Sequence, residues 1–282
     1  MHARRDTVVM KVANNVVAIT GGARGIGLAI ATALHGLGAK VAIGDIDEAA
    51  VKEAGGRLGL TTVRRLDVTD RRSFTDFLDA VESELGPLDV LVNNAGVIAA
   101  ANAVDEPDAV TQRVLDVNIH GVILGTKLAA PRMLPRGRGH IVNIGSMGSV
   151  LPCAGIATYC ATKHAVLGYT DSVRMENRGR GIHFSVIMPT LTNTEMIAGA
   201  GRARGFKNAE PEDVARAVVG VIVKPKRRVA VPRSIGIVAS AQRLMPQGIA
   251  EAIGRAVGTD RVFTSDLDTD RRKDYARRTG TS

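Results

Sequence analysis

The sequence predicts an α/β fold of the doubly wound type, a parallel sheet of seven strands with helices on both faces. Short runs rich in Val and Ile alternate with amphipathic segments, as in successive βαβ units. The first run ends in three spaced glycines, Gly21, Gly25 and Gly27. No Pro- or Ser-rich linker divides the 282 residues, so we expect one domain over residues 15–232, an extension over 1–14 before it and a helical tail over 233–282.

The first strand begins at Val16 and breaks into the glycine turn, and a helix is predicted over residues 26–37. Glycine permits positive φ and leaves no Cβ where a pyrophosphate would approach, while the amides at a helix start face an anion. Spacing alone is equally compatible with a plain mobile turn. The next strand, residues 40–44, pairs in parallel and ends at Asp45.

Further strands are predicted over residues 61–66, 88–92, 140–145, 181–188 and 229–231, and further helices over 107–134, 156–179 and 211–223. The last of these helices begins with Pro211 and two acids, as N1 and dipole preferences favour. Beyond Pro232, helical spacing over residues 235–256 is broken at Pro246. The last fifteen residues are charged, and we expect them to be frayed.

Four motifs together resemble the short-chain dehydrogenase/reductase family, of the common single-domain kind, over about residues 16–232. They are Thr20-Gly21-x-x-x-Gly25-x-Gly27, Asp45 after the second strand, Asn93-Asn94-Ala95-Gly96 and Tyr159-Cys-Ala-Thr-Lys163. The resemblance implies a Rossmann-type sheet, a nicotinamide cofactor and a homotetramer or homodimer formed through the helices near 107–134 and 156–179.

The resemblance also implies a cofactor groove. Its expected residues are Gly21, Arg24, Gly25, Ile26, Gly27, Asp45, Ile46, Asp67, Val68, Asn94, Ala95, Gly96, Tyr159, Lys163, Pro189, Thr192 and Thr194. A carboxylate at Asp45 can accept hydrogen bonds from the adenosine ribose and repel a 2′-phosphate, which favours NAD. Arg24 favours NADP, because members that prefer NADP often carry a basic residue there. We give Asp45 more weight, since Ile46 is not the arginine that would neutralise it, and NADP is the less favoured cofactor.

Two positions in this groove leave alternatives open. Asp67 matches the residue that contacts adenine in the family, but an aspartate there could equally cap the helix that starts near Asp70. Thr190 stands where the family usually has glycine after the proline. A β-branched side chain would narrow the nicotinamide pocket or change the path of the loop.

The resemblance implies that the catalytic residues are Asn118, Ser146, Tyr159 and Lys163. A phenol with a pKa near 10 is poorly poised for proton transfer. Lys163 lies one helical turn after Tyr159 and, with the charge of the oxidised nicotinamide, should lower the pKa of the phenol. Ser146 would hydrogen-bond the substrate oxygen. Asn118 matches the residue whose kink and bound water link the lysine to solvent, although a helical Asn is more often a cap or core hydrogen bond.

These residues predict an NAD-dependent oxidoreductase that interconverts a secondary alcohol and a ketone, with Tyr159 as general acid and base. Pocket candidates are mostly apolar and favour a hydrophobic substrate: Met147, Pro152, Cys153, Ile156, Met196 and Ile197. The glycine-rich residues 195–208 are predicted to be a mobile lid. The alternative is a non-catalytic dinucleotide-binding regulatory protein of the same fold.

The net charge of +9 is concentrated in the tail, since from Lys224 onward 13 Lys or Arg face 6 Asp or Glu. Nucleic-acid binding is not expected, because the tail offers only Phe263 and Tyr275 for stacking. The tail could be a solvated end, dock on a neighbouring subunit or contact an anionic membrane surface.

We expect a cytoplasmic protein, because the first fifteen residues resemble no secretory signal and no apolar run is long enough to span a membrane. Cys153 and Cys160 are the only cysteines, which suggests a reducing compartment, and both are predicted to be packing residues. No His-rich or carboxylate cluster has metal-ligand spacing, so no metal is predicted, and His164 and His183 are expected to be packing or surface residues.

Overall fold

A parallel sheet forms the centre of the molecule in the computed structural model, which describes residues 12–201, 207–242 and 247–282. Within this part of the chain the sheet has seven strands in the order β3-β2-β1-β4-β5-β6-β7. Their bounds are β1 Val16–Thr20, β2 Lys40–Asp45, β3 Thr62–Arg65, β4 Val90–Asn93, β5 Gly139–Ile144, β6 Ile182–Pro189 and β7 Arg228–Val231. The predicted fold class is confirmed.

Helices cover both faces of the sheet. They are α1 Gly25–Gly36, α2 Glu48–Leu58, α3 Arg71–Leu85, α4 Asp108–Leu115, α5 Gly121–Met133, α6 Ala157–Glu176, α7 Pro211–Val223, α8 Arg233–Gln242, α9 Gln247–Val257 and α10 Thr269–Thr279. The helix predicted over residues 107–134 is α4 and α5 joined by a π-helical turn, Asp116–His120. Asn118 lies in that turn, a type of distortion that is common at functional sites.

The central strands β1, β4 and β5 are buried along their whole length because each face of the sheet is covered by its own apolar layer. Along β1, Ile19 joins the layer beneath α1 and α7, and Ala18 joins the layer beneath α3 and α5. Strand β1 lies between β2 and β4, so the connections on its two sides diverge. In such a sheet, the divergence leaves a crevice at the carboxyl ends of the strands, where a ligand can bind.

The C-terminal end is ordered, and the expectation that it is frayed is wrong. Helix α10 begins at Asp268, whose carboxylate accepts hydrogen bonds from the amides of Asp270 and Arg271 at 3.1 Å each. Arg272 and Tyr275 are 5% and 6% exposed. A helix with this many charges is held in place because two of its side chains are buried against the rest of the domain.

Some expectations fall outside the described residues. These are the predicted break at Pro246 and the part of the predicted lid over residues 202–206. Among the residues that the structure describes, no helix is long and apolar enough to cross a bilayer. The domain boundary at residue 232 stays a prediction.

Candidate active site

A cavity of about 1220 Å³ opens at the carboxyl edge of the sheet. Its lining contains every predicted catalytic and cofactor-binding residue except Gly27 and Asn118, each of which lies directly beneath the lining. The six apolar pocket candidates also line it. Pockets for one small ligand usually measure about 300–1,000 Å³, so this cavity has room for two ligands side by side.

The glycine turn lies at one end of the cavity and has the shape that a pyrophosphate requires. Gly21 and Gly25 have φ values of +65° and +52°. A Cβ at Gly27 would overlap the carbonyl oxygen of Gly21 and come within 2.6 Å of Asn94 Nδ2. Helix α1 has no side-chain cap and no acid in its first turn, so its first amides are free to bind an anion. This part of the site fits a dinucleotide.

The loop after β4 is fixed to the glycine turn by Asn94 and Thr20. The side-chain amide of Asn94 donates to the carbonyl oxygens of Thr20 and Gly21 at 2.9 Å each. The hydroxyl of Thr20 accepts from the amides of Asn94 and Ala95 at 3.0 Å each. These bonds fix the loop after β4 to the glycine turn, so the groove between them is rigid before any ligand binds.

Asp45 and Arg24 both line the cavity near the glycine turn, and each is engaged by a different partner. The carboxylate of Asp45 accepts a hydrogen bond from the amide of Ala23 at 3.2 Å. Arg24 is 2.7 Å from the carboxylate of Asp47, an ion pair that sequence reasoning missed. Bonds from the amide of Ala50 and from Arg24 hold the pKa of Asp47 below its usual range. The positive charge of Arg24 is therefore partly neutralised by the protein itself.

The alternative that Asp67 caps α3 is wrong. The capping residue is Asp70, whose carboxylate accepts from the amide of Ser73 at 2.7 Å. Asp67 instead accepts from the amide and the hydroxyl of Thr69, at 2.9 and 2.7 Å. Its side chain is thereby fixed at the wall of the cavity.

Tyr159 and Lys163 project from α6 towards the carboxyl end of β5. The ammonium of Lys163 lies 5.6 Å from the centre of the Tyr159 ring and donates to the carbonyl oxygen of Ile144 at 2.9 Å. Burial lowers the pKa of Lys163 to about 8. Burial also raises the pKa of Tyr159, and a hydrogen bond with Ser146 only partly offsets it. Burial is the larger effect in the protein without a cofactor, and the expectation that Lys163 together with the charge of the oxidised nicotinamide lowers the pKa of the phenol stays a prediction.

Ser146 directly follows β5, and its own backbone surroundings fix its side chain. It caps a short 3₁₀ turn, Met147–Ser149, in which its Oγ accepts from the amide of Gly148 at 3.0 Å. In return, the amide of Ser146 donates to the hydroxyl of the fully buried Ser149 at 3.2 Å. Ser146 and Tyr159 both line the cavity, so the hydroxyl of Ser146 can also bond a ligand there.

Asn118 is fully buried and makes three hydrogen bonds. Its Oδ1 accepts from the amide of Val97 at 2.8 Å, and its Nδ2 donates to the carbonyl of Val97 at 2.8 Å and to the hydroxyl of Thr162 at 3.1 Å. Thr162 immediately precedes Lys163. The π-helical turn thus joins the loop after β4 to the helix that carries the tyrosine and the lysine.

Thr190, the departure from the family pattern, is accommodated in the backbone of the loop after β6. Its amide donates to the carbonyl of Val231 at 2.9 Å, and its carbonyl accepts from the hydroxyl of Thr192 at 3.0 Å. Thr194 follows and faces the glycine turn, since a Cβ at Gly25 would lie 3.0 Å from its methyl group. The loop therefore passes over the glycine turn with threonine at position 190.

The C-terminal tail supplies a wall of the cavity that sequence reasoning missed. Val262, Phe263 and Tyr275 are buried in one apolar cluster with Ile156 and Tyr159. The tail was expected to be a solvated end, a docking segment or a membrane contact. The available signal was the Val262-Phe263 pair, which is apolar in an otherwise charged stretch.

Other reactive groups do not add to the site. Burial raises the pKa of Cys153 to about 12, and neither His164 nor His183 lines the cavity. In the described ranges, no group of three His, Cys, Asp or Glu side chains is arranged to hold a metal ion.

A family model for short chain dehydrogenases matches residues 15–205. This chain belongs to the short-chain dehydrogenase family. The match begins one residue before β1 and ends within the glycine-rich segment after β6, so the whole tail lies beyond it. The remaining comparisons agree with that assignment.

Curated relatives include the "Probable oxidoreductase EphD" of Mycobacterium tuberculosis, 31% identical over 261 residues, or 84% of this chain and 44% of the relative. This chain thus spans less than half the length of that relative. The "2-(S)-hydroxypropyl-CoM dehydrogenase 3" of Xanthobacter autotrophicus is 35% identical, over 73% of this chain and 88% of the relative. The "2,5-dichloro-2,5-cyclohexadiene-1,4-diol dehydrogenase LinX" of Sphingobium indicum is 36% identical, over 67% and 77%.

Two solved structures with similar folds contain a nicotinamide cofactor. A short chain dehydrogenase/reductase from Burkholderia phymatum in complex with NAD has a TM-score of 0.76 and 25% identity, over 83% of this chain and 94% of that one. The 3-ketoacyl-(acyl-carrier-protein) reductase from Brucella melitensis complexed with NADH has a TM-score of 0.70 and 26% identity, over 79% and 99%.

Proposed function

We propose that this protein is an NAD-dependent oxidoreductase that interconverts a hydrophobic secondary alcohol and the corresponding ketone. The observation that carries the proposal is that Ser146, Tyr159 and Lys163 line the same cavity as the glycine turn, with the ammonium of Lys163 5.6 Å from the centre of the Tyr159 ring. A protein that only binds a dinucleotide has no need of a phenol, a hydroxyl and an ammonium at one point.

Each of the three side chains has a separate task in this proposal. Ser146 hydrogen-bonds the substrate oxygen and stabilises the charge that develops on it. Tyr159 gives its proton to the oxygen when a ketone is reduced, and takes the proton when an alcohol is oxidised. Lys163, when protonated, stabilises the phenolate and can donate to the nicotinamide ribose. The cofactor supplies or accepts the hydride when it is bound.

We infer NAD rather than NADP from the two charges at the adenosine end of the cavity. The carboxylate of Asp45 would repel a 2′-phosphate, and the guanidinium of Arg24 is already paired with Asp47. The test is kcat/KM with each cofactor, for the parent chain and for Asp45→Asn. We expect the parent to prefer NAD and the variant to lose most of that preference. A higher kcat/KM with NADP for the parent chain would refute the assignment.

The main test is a screen of alcohols and ketones with both cofactors, read at the nicotinamide absorbance. Tyr159→Phe should lose about a hundredfold or more of kcat, since general acid–base catalysis contributes about 10²–10⁴-fold. Tyr169→Phe is the matched control, because Tyr169 is on the same helix, is half-buried and does not line the cavity. Activity of Tyr159→Phe within a few-fold of the parent chain would remove Tyr159 as the proton carrier.

The second proposal is that the protein binds a dinucleotide and regulates assembly or a partner without turnover. It is favoured only if NAD binds and no compound in the alcohol and ketone panel reacts.

For assembly we propose a homotetramer or homodimer, which light scattering of the full chain tests directly. Binding of the full chain to anionic liposomes tests the membrane contact that is one of the alternatives for the basic tail, and absence of binding excludes that alternative.

A further inference from the structure

Three glycines around the cavity leave space for one stretch of the tail, residues 262–268, which we call the wall segment. A Cβ at Gly155 would overlap the carbonyl oxygen of Phe263, and a Cβ at Gly199 would overlap that of Asp268. A Cβ at Gly201 would lie 2.6 Å from the Cβ of Asp266. Gly155 is in the loop before α6, and the other two are in the loop after β6. The loops and the wall segment therefore fit each other at backbone level.

Backbone hydrogen bonds join the wall segment to the loop after β6. The amide of Gly201 donates to the carbonyl of Val262, and the amide of Asp268 donates to the carbonyl of Gly199, both at 2.8 Å. The two bonds run in opposite directions across the same contact. Residues 195–201 of the predicted lid are thus attached to the tail.

Helix α10 anchors the wall segment from its other end. Arg278 pairs with Glu195 of the loop after β6. The phenol oxygen of Tyr275 accepts a hydrogen bond from the amide of Ile98 at 3.1 Å. Both contacts join α10 to loops that line the cavity, so the wall segment is held between fixed points.

The wall segment presents two apolar side chains to the cavity. Val262 and Phe263 are 3% and 2% exposed, and both line the cavity. Phe263 belongs to the same apolar cluster as Tyr159 and Ile156, and Met196 packs against that cluster. An aromatic ring at this point limits how far a bound molecule can extend from the tyrosine.

We propose that Phe263 and Val262 form the distal wall of the substrate subsite, and that side-chain volume at position 263 sets the largest apolar group that the alcohol can carry. This rests on the proposed function. The substrate class is an alcohol or ketone whose larger substituent is an uncharged hydrocarbon chain or ring, because the side chains around Phe263 are apolar.

The first test measures kcat/KM for 2-alkanols of increasing length with NAD. In Phe263→Ala, the ratio of kcat/KM for the longest to the shortest alcohol should rise at least tenfold over the parent chain, and the KM for NAD should stay within twofold. The same ratio for Phe263→Leu should lie between those of the parent chain and of Phe263→Ala. This second variant keeps the test informative if the alanine variant does not fold. Ile249→Ala is the control, since Ile249 is in the tail, 53% exposed and outside the cavity lining.

An unchanged size profile in a folded Phe263 variant would overturn the proposal. If the parent chain oxidises no alcohol, the proposed function is wrong. A binding experiment then tests whether Phe263 contacts a bound ligand. The chain contains no tryptophan, so Phe263→Trp introduces a single reporter. Its emission should be shielded from acrylamide and should change when 2-octanone is added, whereas Ile249→Trp should be quenched and unchanged. An accessible, unresponsive Trp at position 263 also overturns the proposal.

Discussion

The guanidinium of Arg272, in the last helix, donates a hydrogen bond to the carbonyl oxygen of Ile98 at 2.8 Å, across 174 residues of chain. It also donates to the carbonyl oxygen of Met196 at 3.0 Å. One buried side chain thus joins the loop after β4 to the loop after β6, which are two walls of the cavity. Without it, these carbonyls would be buried and would have to find other donors.

Replacing Arg272 should therefore destabilise the protein. We expect Arg272→Met to lower the free energy of unfolding by about 2 kcal/mol, because buried carbonyls lose their donor. The measurement is urea unfolding followed by circular dichroism. Lys273→Met is the control: Lys273 is exposed and pairs with Asp270, so it should change stability by less than about 0.5 kcal/mol. Equal stability of the two variants would contradict the role given to Arg272.

The second prediction compares alanine substitutions at two glycines of α1, Gly27 in the glycine turn and Gly36 at the end of the helix. Gly27→Ala would place a methyl group on the carbonyl of Gly21, so the turn must shift and NAD should bind at least about tenfold more weakly, because a lost hydrogen bond to a charged phosphate costs about 1.5–3 kcal/mol. Gly36→Ala should leave binding unchanged, because nothing lies within 4 Å of its Cβ position. Titration calorimetry with NAD measures both. Equal affinity in the two variants would show that the turn can shift without loss.

The sequence was sufficient for the sheet and for the groove at its edge. The central strands lie in short runs rich in Val, Ile and Leu, and Gly21, Gly25 and Gly27 mark the turn in a local pattern that needs no tertiary information. The catalytic spacing of Ser146 and Tyr159 was recognised through family resemblance rather than through periodicity. These features are local in sequence, and local features are what pattern reasoning can detect.

The tail could not be predicted for a physical reason. Residues 269–279 contain five Lys or Arg, and a helix of such composition is normally solvated. Its order depends on Arg272 and Tyr275, whose partners at residues 98, 196 and 198 lie far away in the chain. Likewise, the burial that raises the pKa of Tyr159 in the protein without a cofactor comes from elements distant in the chain, which the local spacing of Tyr159 and Lys163 does not reveal.

The buried ammonium of Lys163 gives a prediction on pH. Its pKa is lowered to about 8 in the folded chain and is about 10.4 in an unfolded one, so the folded state binds its proton more weakly. The protonated lysine lowers the free energy of unfolding by its full amount below about pH 8, and this destabilisation disappears as the pH rises through about 10.4. The free energy of unfolding of the parent chain, relative to that of Lys163→Met, should therefore rise between about pH 8 and about pH 10.4.

We expect Lys163→Met to be more stable than the parent chain by about 1–3 kcal/mol at pH 7, after allowance for the lost bond to Ile144. The difference should shrink at pH 10, and urea unfolding at the two pH values measures it. Lys52→Met, on an exposed side chain, should show no such trend. A difference that does not change with pH would mean that the folded and unfolded chains bind the Lys163 proton equally well, so that burial does not lower its pKa.

The last prediction concerns Asp171, which anchors the helix that carries Tyr159 and Lys163. Its carboxylate accepts from the Nε and Nη2 of Arg227 at 2.6 and 2.8 Å and also pairs with Arg228, so α6 is joined to β7 and the residue before it. Hydrogen bonding from Arg227 is the main cause that lowers the pKa of Asp171 to about 2. The pKa of Asp171 in the folded chain is below its unfolded value of about 3.9. Its contribution to the free energy of unfolding is therefore complete above about pH 4 and is lost as the pH falls towards 2.

Asp171→Asn should lower the free energy of unfolding at pH 7 by about 1 kcal/mol, less than the full shift implies because the Arg227 side chain is 52% exposed and screened by solvent. The difference from the parent chain should vanish between pH 4 and pH 2, and salt should reduce it at pH 7. Unfolding in urea across this pH range measures both trends. Asp270→Asn, on an 81% exposed side chain paired with Lys273, serves as the control and should change little at any pH. If the Asp171 difference stays constant down to pH 2, its contribution comes from packing of the side chain, and the ion pairs do not hold α6 against β7.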